Sequence, residues 1–232
     1  MVSKRKDRLF VIFIVALGIL LSTALSVKAQ DTTTVASDTS YWQKGVLGNL
    51  TFSQVSLTNW VAGGNNAISL NSYVGIFFNY AKDRVTWENS IDLAYGLVDQ
   101  GGLGFRKSDD KINYVTKFGY LFKRKPKLQW STLVDFRTQF AQGFEFTDDG
   151  QEILISEFMA PGYMVISTGL EYKPSKAFSL ILAPVTGKLT FVTNQDLANE
   201  GAFGVDAAVR DQGGNIITEG KQFRAEIGTF LK

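Results

Sequence analysis

The chain has 232 residues, with 24 basic and 22 acidic side chains and with neither cysteine nor histidine. The lack of cysteine excludes disulfides, zinc–thiolate sites and a lipidated N-terminal cysteine. The lack of histidine excludes a Ser–His–Asp hydrolase and removes the commonest transition-metal ligand, so we expect no enzyme, no metal site and no cofactor. Catalysis by carboxylates or tyrosines alone stays open.

Residues 1–29 have the pattern of a cleaved secretory signal peptide. Basic residues within Lys4–Arg8 precede an apolar core at Leu9–Leu25, and Val27–Ala29 offers small residues at the cleavage positions. An uncleaved membrane anchor is the alternative. However, the core of 17 residues is interrupted by polar ones and is barely long enough to span a bilayer. We therefore predict export and cleavage.

The mature chain is predicted to begin at Gln30. Cleavage removes five basic residues and one acidic residue, which leaves 19 basic against 21 acidic and a net charge of −2. We therefore expect no nucleic-acid partner. No long apolar run remains after residue 29, which excludes a helical membrane protein. Residues 30–44 are polar and predict a flexible periplasmic lead, followed by one all-β domain over residues 45–232.

Apolar and polar residues alternate along this domain with the period of two that is typical of β-strands. The clearest segment is Val85–Val98. The phase slips between Phe52 and Val55, and Pro184–Gly187 interrupts a later segment, so we expect bulges at both places. Eight strands are predicted: Asn49–Trp60, Ile68–Tyr80, Val85–Val98, Ile112–Phe122, Leu128–Phe140, Met164–Tyr172, a seventh that starts at Phe178, and Gln222–Lys232.

The predicted connections alternate in length, as they do in outer-membrane barrels. The short turns are Ala81–Arg84, Arg124–Lys127 and Lys173–Ala177, and the long loops are Gln100–Asp110, Gly143–Gly162 and Asn194–Gly220. Within the second loop, Asp149-Gly150 is predicted to turn a projecting hairpin. Pairing Phe78 with Trp87, and Tyr120 with Trp130, keeps apolar residues on one face of each hairpin.

Aromatic residues flank the three short turns on the apolar face of the strands. They are Phe78, Tyr80, Trp87, Tyr120, Phe122, Trp130, Tyr172 and Phe178. Such a row is typical of the aromatic girdle of a transmembrane β-barrel. Alternation alone does not say which face is wet, and a soluble lipocalin-like barrel would show the same pattern. The girdle, the strand lengths and the charged polar face favour an antiparallel, up-and-down barrel in the outer membrane of a Gram-negative bacterium, in contact with its lipids.

Two charged clusters are candidate sites. The first lies on the polar face and comprises Glu88, Asp92, Lys117, Asp135, Arg137 and Glu171. It predicts either a polar pore or solute-binding lumen, or a salt-bridged plug, because buried charges must pair. Within it, we expect Lys117 to pair with Asp135 across neighbouring strands. The second cluster, in a predicted extracellular loop, is Arg106, Lys107, Asp109 and Asp110. It predicts either a site for lipopolysaccharide phosphate or a loop that neutralises itself.

Five segments resemble a domain-of-unknown-function family of exported β-barrel proteins from Bacteroidota-type bacteria. They are Asn59–Asn65, Thr86–Asn89, Phe105–Lys111, Thr138–Phe140 and Ala160–Tyr163, and the resemblance covers roughly Gly45 to Lys232. It implies a compartment and an architecture but brings no activity and no catalytic residues. It also implies further hairpins. Outer-membrane barrels resemble one another in ending on an aromatic residue, which the outer-membrane insertion machinery reads. Since the last strand ends at Leu231-Lys232 without one, we expect an incomplete barrel.

The sequence therefore predicts a membrane barrel of undefined activity. The first functional hypothesis is a porin-like or transport barrel for small or hydrophobic solutes. The alternative is a structural or adhesion barrel with a plugged lumen, whose extracellular loops bind a surface partner. An enzyme within the barrel comes third, because histidine is absent.

Overall fold

The computed structural model describes residues 40–57, 64–147, 151–175 and 178–231. The predicted signal peptide, residues 30–39 of the predicted lead, most of the segment Asn59–Asn65 and the turn at Asp149-Gly150 lie outside these ranges. Two residues of the predicted third short turn, 176 and 177, also lie outside them.

Strands form almost all of the regular structure, as predicted. Within the described residues they are β1 Trp42–Val55, β2 Ala67–Lys82, β3 Val85–Gln100, β4 Arg106–Leu121, β5 Leu128–Thr138, β6 Gly143–Phe146, β7 Glu152–Ser156, β8 Gly162–Ser175, β9 Phe178–Phe191, β10 Val209–Arg210, β11 Ile216–Thr218 and β12 Phe223–Leu231. A helix, α1, spans Gln195–Asn199, and a 3₁₀ turn spans Ala202–Gly204. No helix in the described ranges is long and apolar enough to cross a membrane.

Eight strands form one antiparallel sheet in the order β1-β2-β3-β4-β5-β8-β9-β12. Each strand lies beside the next sheet strand along the chain, so the predicted up-and-down order is confirmed. The pairs β6–β7 and β10–β11 are separate hairpins inserted into two of the long connections. Among the described residues β1 and β12 each pair with one neighbour, so the sheet is open and is not closed into the predicted barrel.

The first strand begins earlier than predicted. It starts at Trp42 rather than Asn49, so the predicted flexible lead is three residues too long. The register between β1 and β2 runs without a shift from Trp42 to Val55, and the bulge expected after Phe52 is absent. The polar residues around Lys44 obscure the apolar–polar alternation in the sequence. The pairing with β2 makes this segment part of the strand.

The register of the first hairpin was predicted wrongly. Trp87 lies opposite Tyr80 rather than Phe78, and only Asp83 and Arg84 separate the two strands. A shift of two residues leaves every side chain on the same face, so alternation could not distinguish these registers, and the tight turn decides between them. The predicted pairing of Tyr120 with Trp130 in the next hairpin is confirmed.

The bulge expected near Pro184 is confirmed, although the strand is not broken. The register of β8 against β9 shifts between Thr168 and Leu170, and that of β12 against β9 shifts between Gly228 and Phe230. Strand β9 itself runs continuously from Phe178 to Phe191. A bulge absorbs the residue that cannot donate a backbone hydrogen bond.

The long connections fold into a cap, which we define as residues 157–161 and 192–222. Its apolar centre comprises Ala160, Val192, Ala198 and Val205, with Leu197 and Phe203 packed against them. Asn194 begins α1 by accepting a hydrogen bond from the backbone N–H of Leu197. The predicted loop Gln100–Asp110 is shorter than expected, because β4 already begins at Arg106.

In the large sheet, buried side chains lie mainly on the polar face and exposed ones on the apolar face, whereas a soluble protein buries its apolar face. The polar face, which is the face that carries Glu171, includes the buried side chains Gln129, Ser131, Ser167, Glu171, Ala183 and Thr190. The apolar face, which carries Leu93, includes exposed side chains such as Leu50 (73%), Phe52 (64%) and Ile227 (89%). From β4 to β9 the polar face is therefore the more closely packed side of the sheet.

Candidate functional site: the polar face of the sheet

The polar face is packed with long side chains that lie over glycines of neighbouring strands. A Cβ atom at Gly45 would lie 2.5 Å from the ring of Phe77, and one at Gly96 would lie 2.2 Å from Oδ1 of Asn71. Neither position has room for a larger residue unless its neighbour moves. Glycine in a strand interior commonly marks such a close approach. The inner face thus accommodates aromatic and amide side chains within the sheet itself.

A buried carboxylate organises the end of this face nearest the short connections. Glu171 is 0% exposed. One of its oxygens accepts from Ser131 Oγ at 2.6 Å and Gln129 Nε2 at 2.7 Å, and the other accepts from Ser179 Oγ at 2.8 Å. Lys117 Nζ lies 3.3 Å from that second oxygen. We call these five residues, together with Glu88, the Glu171 cluster.

Lys117 joins this cluster to the neighbouring strand β3. Its Nζ lies 3.1 Å from Glu88 Oε2. Glu88 lies directly opposite Lys117 in the β3–β4 register. The cluster therefore links β3, β4, β5, β8 and β9, and both acidic groups share one buried ammonium. Such an arrangement meets the requirement that a buried charge be paired and hydrogen-bonded.

The structure corrects the predicted pairing within the polar-face cluster. Lys117 contacts Glu88 and Glu171 rather than Asp135, whose carboxylate binds the guanidinium of Arg137. Asp92 stands apart from both pairs and accepts from Tyr73 Oη and from Asn113 Nδ2. The six predicted residues share one face but form three separate groups.

The other end of the polar face carries exposed charges. We use the name cationic patch for Arg137, Lys188 and Arg224 with their partners Asp135, Glu226 and Tyr163. Arg137 is 63% exposed at its side chain, Lys188 50% and Arg224 47%. Sequence reasoning identified Arg137 and Asp135 but missed the other four. The face of Lys188 depends on the bulge near Pro184, and the neighbours of Tyr163, Arg224 and Glu226 follow only from the pairing of β8, β9 and β12.

The predicted extracellular cluster lies at the start of β4 rather than in a loop. Lys107 Nζ lies 2.8 Å from Asp110 Oδ2, and the same carboxylate accepts from the backbone N–H groups of Phe140 and Ala141. The guanidinium carbon of Arg106 lies 3.7 Å from the ring centre of Phe146. Asp109 lies opposite Gly96. Self-neutralisation is thus observed for Lys107 with Asp110, and lipopolysaccharide binding stays a prediction.

The predicted aromatic girdle maps onto the ends of the strands nearest the short connections. On the apolar face there lie Phe78, Tyr80, Trp87, Tyr120, Trp130, Tyr172 and Phe178, while Phe122 follows the end of β4. Trp42 and Tyr41 extend the row, with ring centres 5.1 Å and 6.3 Å from that of Tyr80. The sequence prediction places both residues in the lead. An aromatic pair just before the first alternating segment is, however, itself typical of an aromatic girdle.

Polar side chains in the middle of the apolar face find partners within the sheet. Trp87 Nε1 donates to Thr116 Oγ1 at 2.8 Å, and that hydroxyl donates to Asn89 Oδ1 at 2.8 Å. Asn89 Nδ2 in turn donates to the backbone carbonyl of Phe78. Thr132 and Thr168 bond to each other at 2.9 Å. These groups therefore do not depend on water for their hydrogen bonds.

Comparisons with known proteins give one match. The model of a family described as a protein of unknown function (DUF3078) matches residues 52–144. No curated protein and no solved structure matches the chain. The match agrees with the predicted resemblance to a family of unknown function, over a shorter part of the chain than expected. It includes Glu88, Lys117 and Arg137, whereas Glu171, Lys188 and Arg224 lie outside it. In the described part of the chain, no group of three or more acidic side chains could hold a metal ion.

Proposed function

We propose that this chain forms the wall of an outer-membrane β-barrel, with the apolar face against lipid and the polar face lining the interior. One observation carries the proposal, namely the inverted burial of the sheet. A fully buried glutamate lies on one face, and the other face exposes leucine, phenylalanine and isoleucine over several strands. An exposed apolar surface of this extent marks a contact with lipid or protein.

The hydrogen bonds of the apolar face support lipid as that contact. A polar group in hydrocarbon must find its partner inside the protein, because no water is present. Asn89, Thr116 and Thr132 meet this condition. The aromatic row at the short-connection ends then corresponds to one membrane interface, where such rings accumulate.

Passage or uptake of small solutes is the activity we propose for this wall. The half of the polar face nearest the cap presents half-exposed charged side chains, including Arg137 and Lys188. Charged side chains that line an interior set which solutes enter it. A plugged, structural barrel is the second candidate, and the complete burial of Glu171 favours it.

Insertion of the full-length protein into liposomes tests the membrane proposal. We expect the chain, refolded with lipid vesicles, to float with them in a density gradient and to resist carbonate extraction. A folded monomer that stays in solution without lipid or detergent would contradict the proposal.

Conductance across a planar bilayer then separates the two candidate functions. The transport proposal predicts discrete current steps after insertion. An inserted protein that gives no steps would leave the plugged barrel as the function, with the cap and the long connections as its contact with partners outside the cell.

A further inference from the structure

The cationic patch lies across four adjacent strands at one level of the polar face. Arg137 of β5 is opposite Tyr163 of β8, which is opposite Thr190 of β9, which is opposite Arg224 of β12. Lys188 is two residues from Thr190 on the same face, and its Nζ lies 5.7 Å from the ring centre of Tyr163. Arg137 and Lys188 thus lie on either side of Tyr163, and Arg224 lies two strands from that tyrosine.

Positive charge exceeds negative charge in this patch. Asp135 binds Arg137 through both carboxylate oxygens, and Glu226 serves both Arg224, at 2.8 Å, and Lys188, at 3.4 Å. Three cations of the sheet therefore share two carboxylates, and the nearby Asp206 of the cap, which also feels the charge of Arg224, is paired with Lys221. The next carboxylate in the same row, Asp92, is two strands from Arg137 and already accepts hydrogen bonds from Tyr73 and Asn113.

Donor capacity remains unused in the patch. Arg137 bonds Asp135 through Nε and Nη2, which leaves Nη1 without a partner in the described part of the chain. Lys188 has only the long contact with Glu226 and the face of Tyr163. Beside the patch, the hydroxyl oxygen of Thr186 is also buried and has no hydrogen-bond partner among the described residues. A buried polar atom without a partner in the protein commonly bonds to water or to a ligand.

From these observations we infer that the cationic patch binds a small dianion bearing carboxylate or phosphate oxygens. Arginine offers a planar pair of donors to such a group, and lysine adds a point charge. Arg137 and Lys188 provide the two contacts from opposite sides of Tyr163, with Thr186 as a further donor. The inference rests on the proposed function, since the solute reaches this site through the interior of the barrel.

Titration calorimetry on the full-length protein folded in detergent tests the site directly. Inorganic phosphate and succinate are titrated separately, so that a preference for either oxyanion is visible. We expect saturable binding of at least one. Loss of one charge-assisted contact in Arg137→Gln or Lys188→Gln should weaken it about tenfold. Arg210→Gln is the matched control, because Arg210 also pairs with a carboxylate, Glu200, but lies outside the sheet.

Removal of a carboxylate that competes with the anion for Arg137 should raise the affinity for the anion instead of lowering it. Asp135→Asn releases Arg137 and deletes a negative charge, so the anion should bind more tightly, by about threefold or more. A merely structural role of the Asp135–Arg137 pair would not produce this gain. If Arg137→Gln does not fold, Lys188→Gln and Asp135→Asn still decide the question.

Three results would overturn the inference: no saturable binding of either anion, equal affinity in Arg137→Gln and Arg210→Gln, or unchanged affinity in Asp135→Asn. Vesicle flotation of the same preparations distinguishes a failure of the anion site from a failure of the membrane proposal. A protein that floats but binds neither anion refutes the site alone. A protein that binds but never associates with lipid refutes the membrane proposal alone.

Discussion

The two ends of the polar face carry the same kinds of side chain in different states. At the end near the short connections, Glu171 and Lys117 are almost fully buried, and every oxygen of Glu171 has a partner. At the end near the cap, Arg137 and Lys188 are at least half exposed and donors remain unused. Charged side chains on one face therefore have two different roles. A buried group whose hydrogen bonds are all made holds strands together, whereas an exposed group with an excess of positive charge can bind a ligand.

The largest effect should come from removing the carboxylate at the buried end. Glu171→Ala leaves Lys117 buried with only the partly exposed Glu88, and breaking a buried pair typically costs about 3–5 kcal/mol of unfolding free energy. Glu226→Ala at the exposed end is the control, where loss of a surface pair costs about 0–1 kcal/mol. Urea unfolding of both variants in lipid vesicles measures the difference. Equal losses would show that the two ends do not differ in this way.

The next effect tests which face is outside. Leu93→Arg, in the middle of β3 on the apolar face, should cost about 2–4 kcal/mol if that face meets lipid near the bilayer midplane. Ala94→Ser, one residue along and on the buried polar face, should be mild because the hydroxyl is small and has polar neighbours. The same unfolding measurement applies to both. A harmless Leu93→Arg would place that face in water and invert the assignment.

A smaller effect distinguishes satisfied from unsatisfied hydroxyls on the polar face. Ser131→Ala removes a 2.6 Å hydrogen bond to the Glu171 carboxylate. A bond to a charged group contributes about 1.5–3 kcal/mol, so the unfolding free energy should fall by that amount. Thr186→Val removes a buried hydroxyl that has no partner within the described residues, and its stability should change little. Equal losses in the two variants would contradict this account of the Glu171 cluster.

The smallest effect lies in the cap, outside the sheet. Asn215 and nearby backbone N–H groups donate to Asp211 and hold the pKa of that carboxyl below its usual 3.8. Because the pKa is lowered on folding, this stabilisation is present above the ordinary value and is lost as pH falls through the lowered one. The protection of the Gly213 and Asn215 amides against exchange, measured relative to the intrinsic exchange rate at each pH, should therefore fall selectively below about pH 4. Asp211→Asn should abolish that pH dependence, and a variant that kept it would assign it to another group.

Much of the sheet could be predicted from the sequence. Alternation located the strands, and turn spacing paired Tyr120 with Trp130 correctly. Alternation alone does not say which face is packed, and the prediction that the polar face is the packed one depended on the aromatic residues at the short turns. The complete burial of Glu171 agrees with that prediction.

The partner of Lys117 was predicted wrongly because only the β4–β5 hairpin has a readable register. Glu88 lies opposite Lys117 across a long connection, and Glu171 lies two strands away. Neither relation follows from local spacing. Lys188 was missed for a related reason, since the bulge near Pro184 shifts the face on which later residues of β9 lie.

Single-residue labelling tests most directly whether the apolar face contacts lipid. The chain contains no cysteine, so Ile91→Cys, Asp92→Cys, Leu93→Cys and Ala94→Cys each give one unique labelling site along β3. In vesicles, a fluorophore at positions 91 and 93 should be quenched by lipids brominated on the acyl chains and protected from aqueous iodide. Labels at 92 and 94 should escape the brominated lipid. The absence of alternation, or alternation in the opposite phase, would contradict the proposed orientation of the sheet.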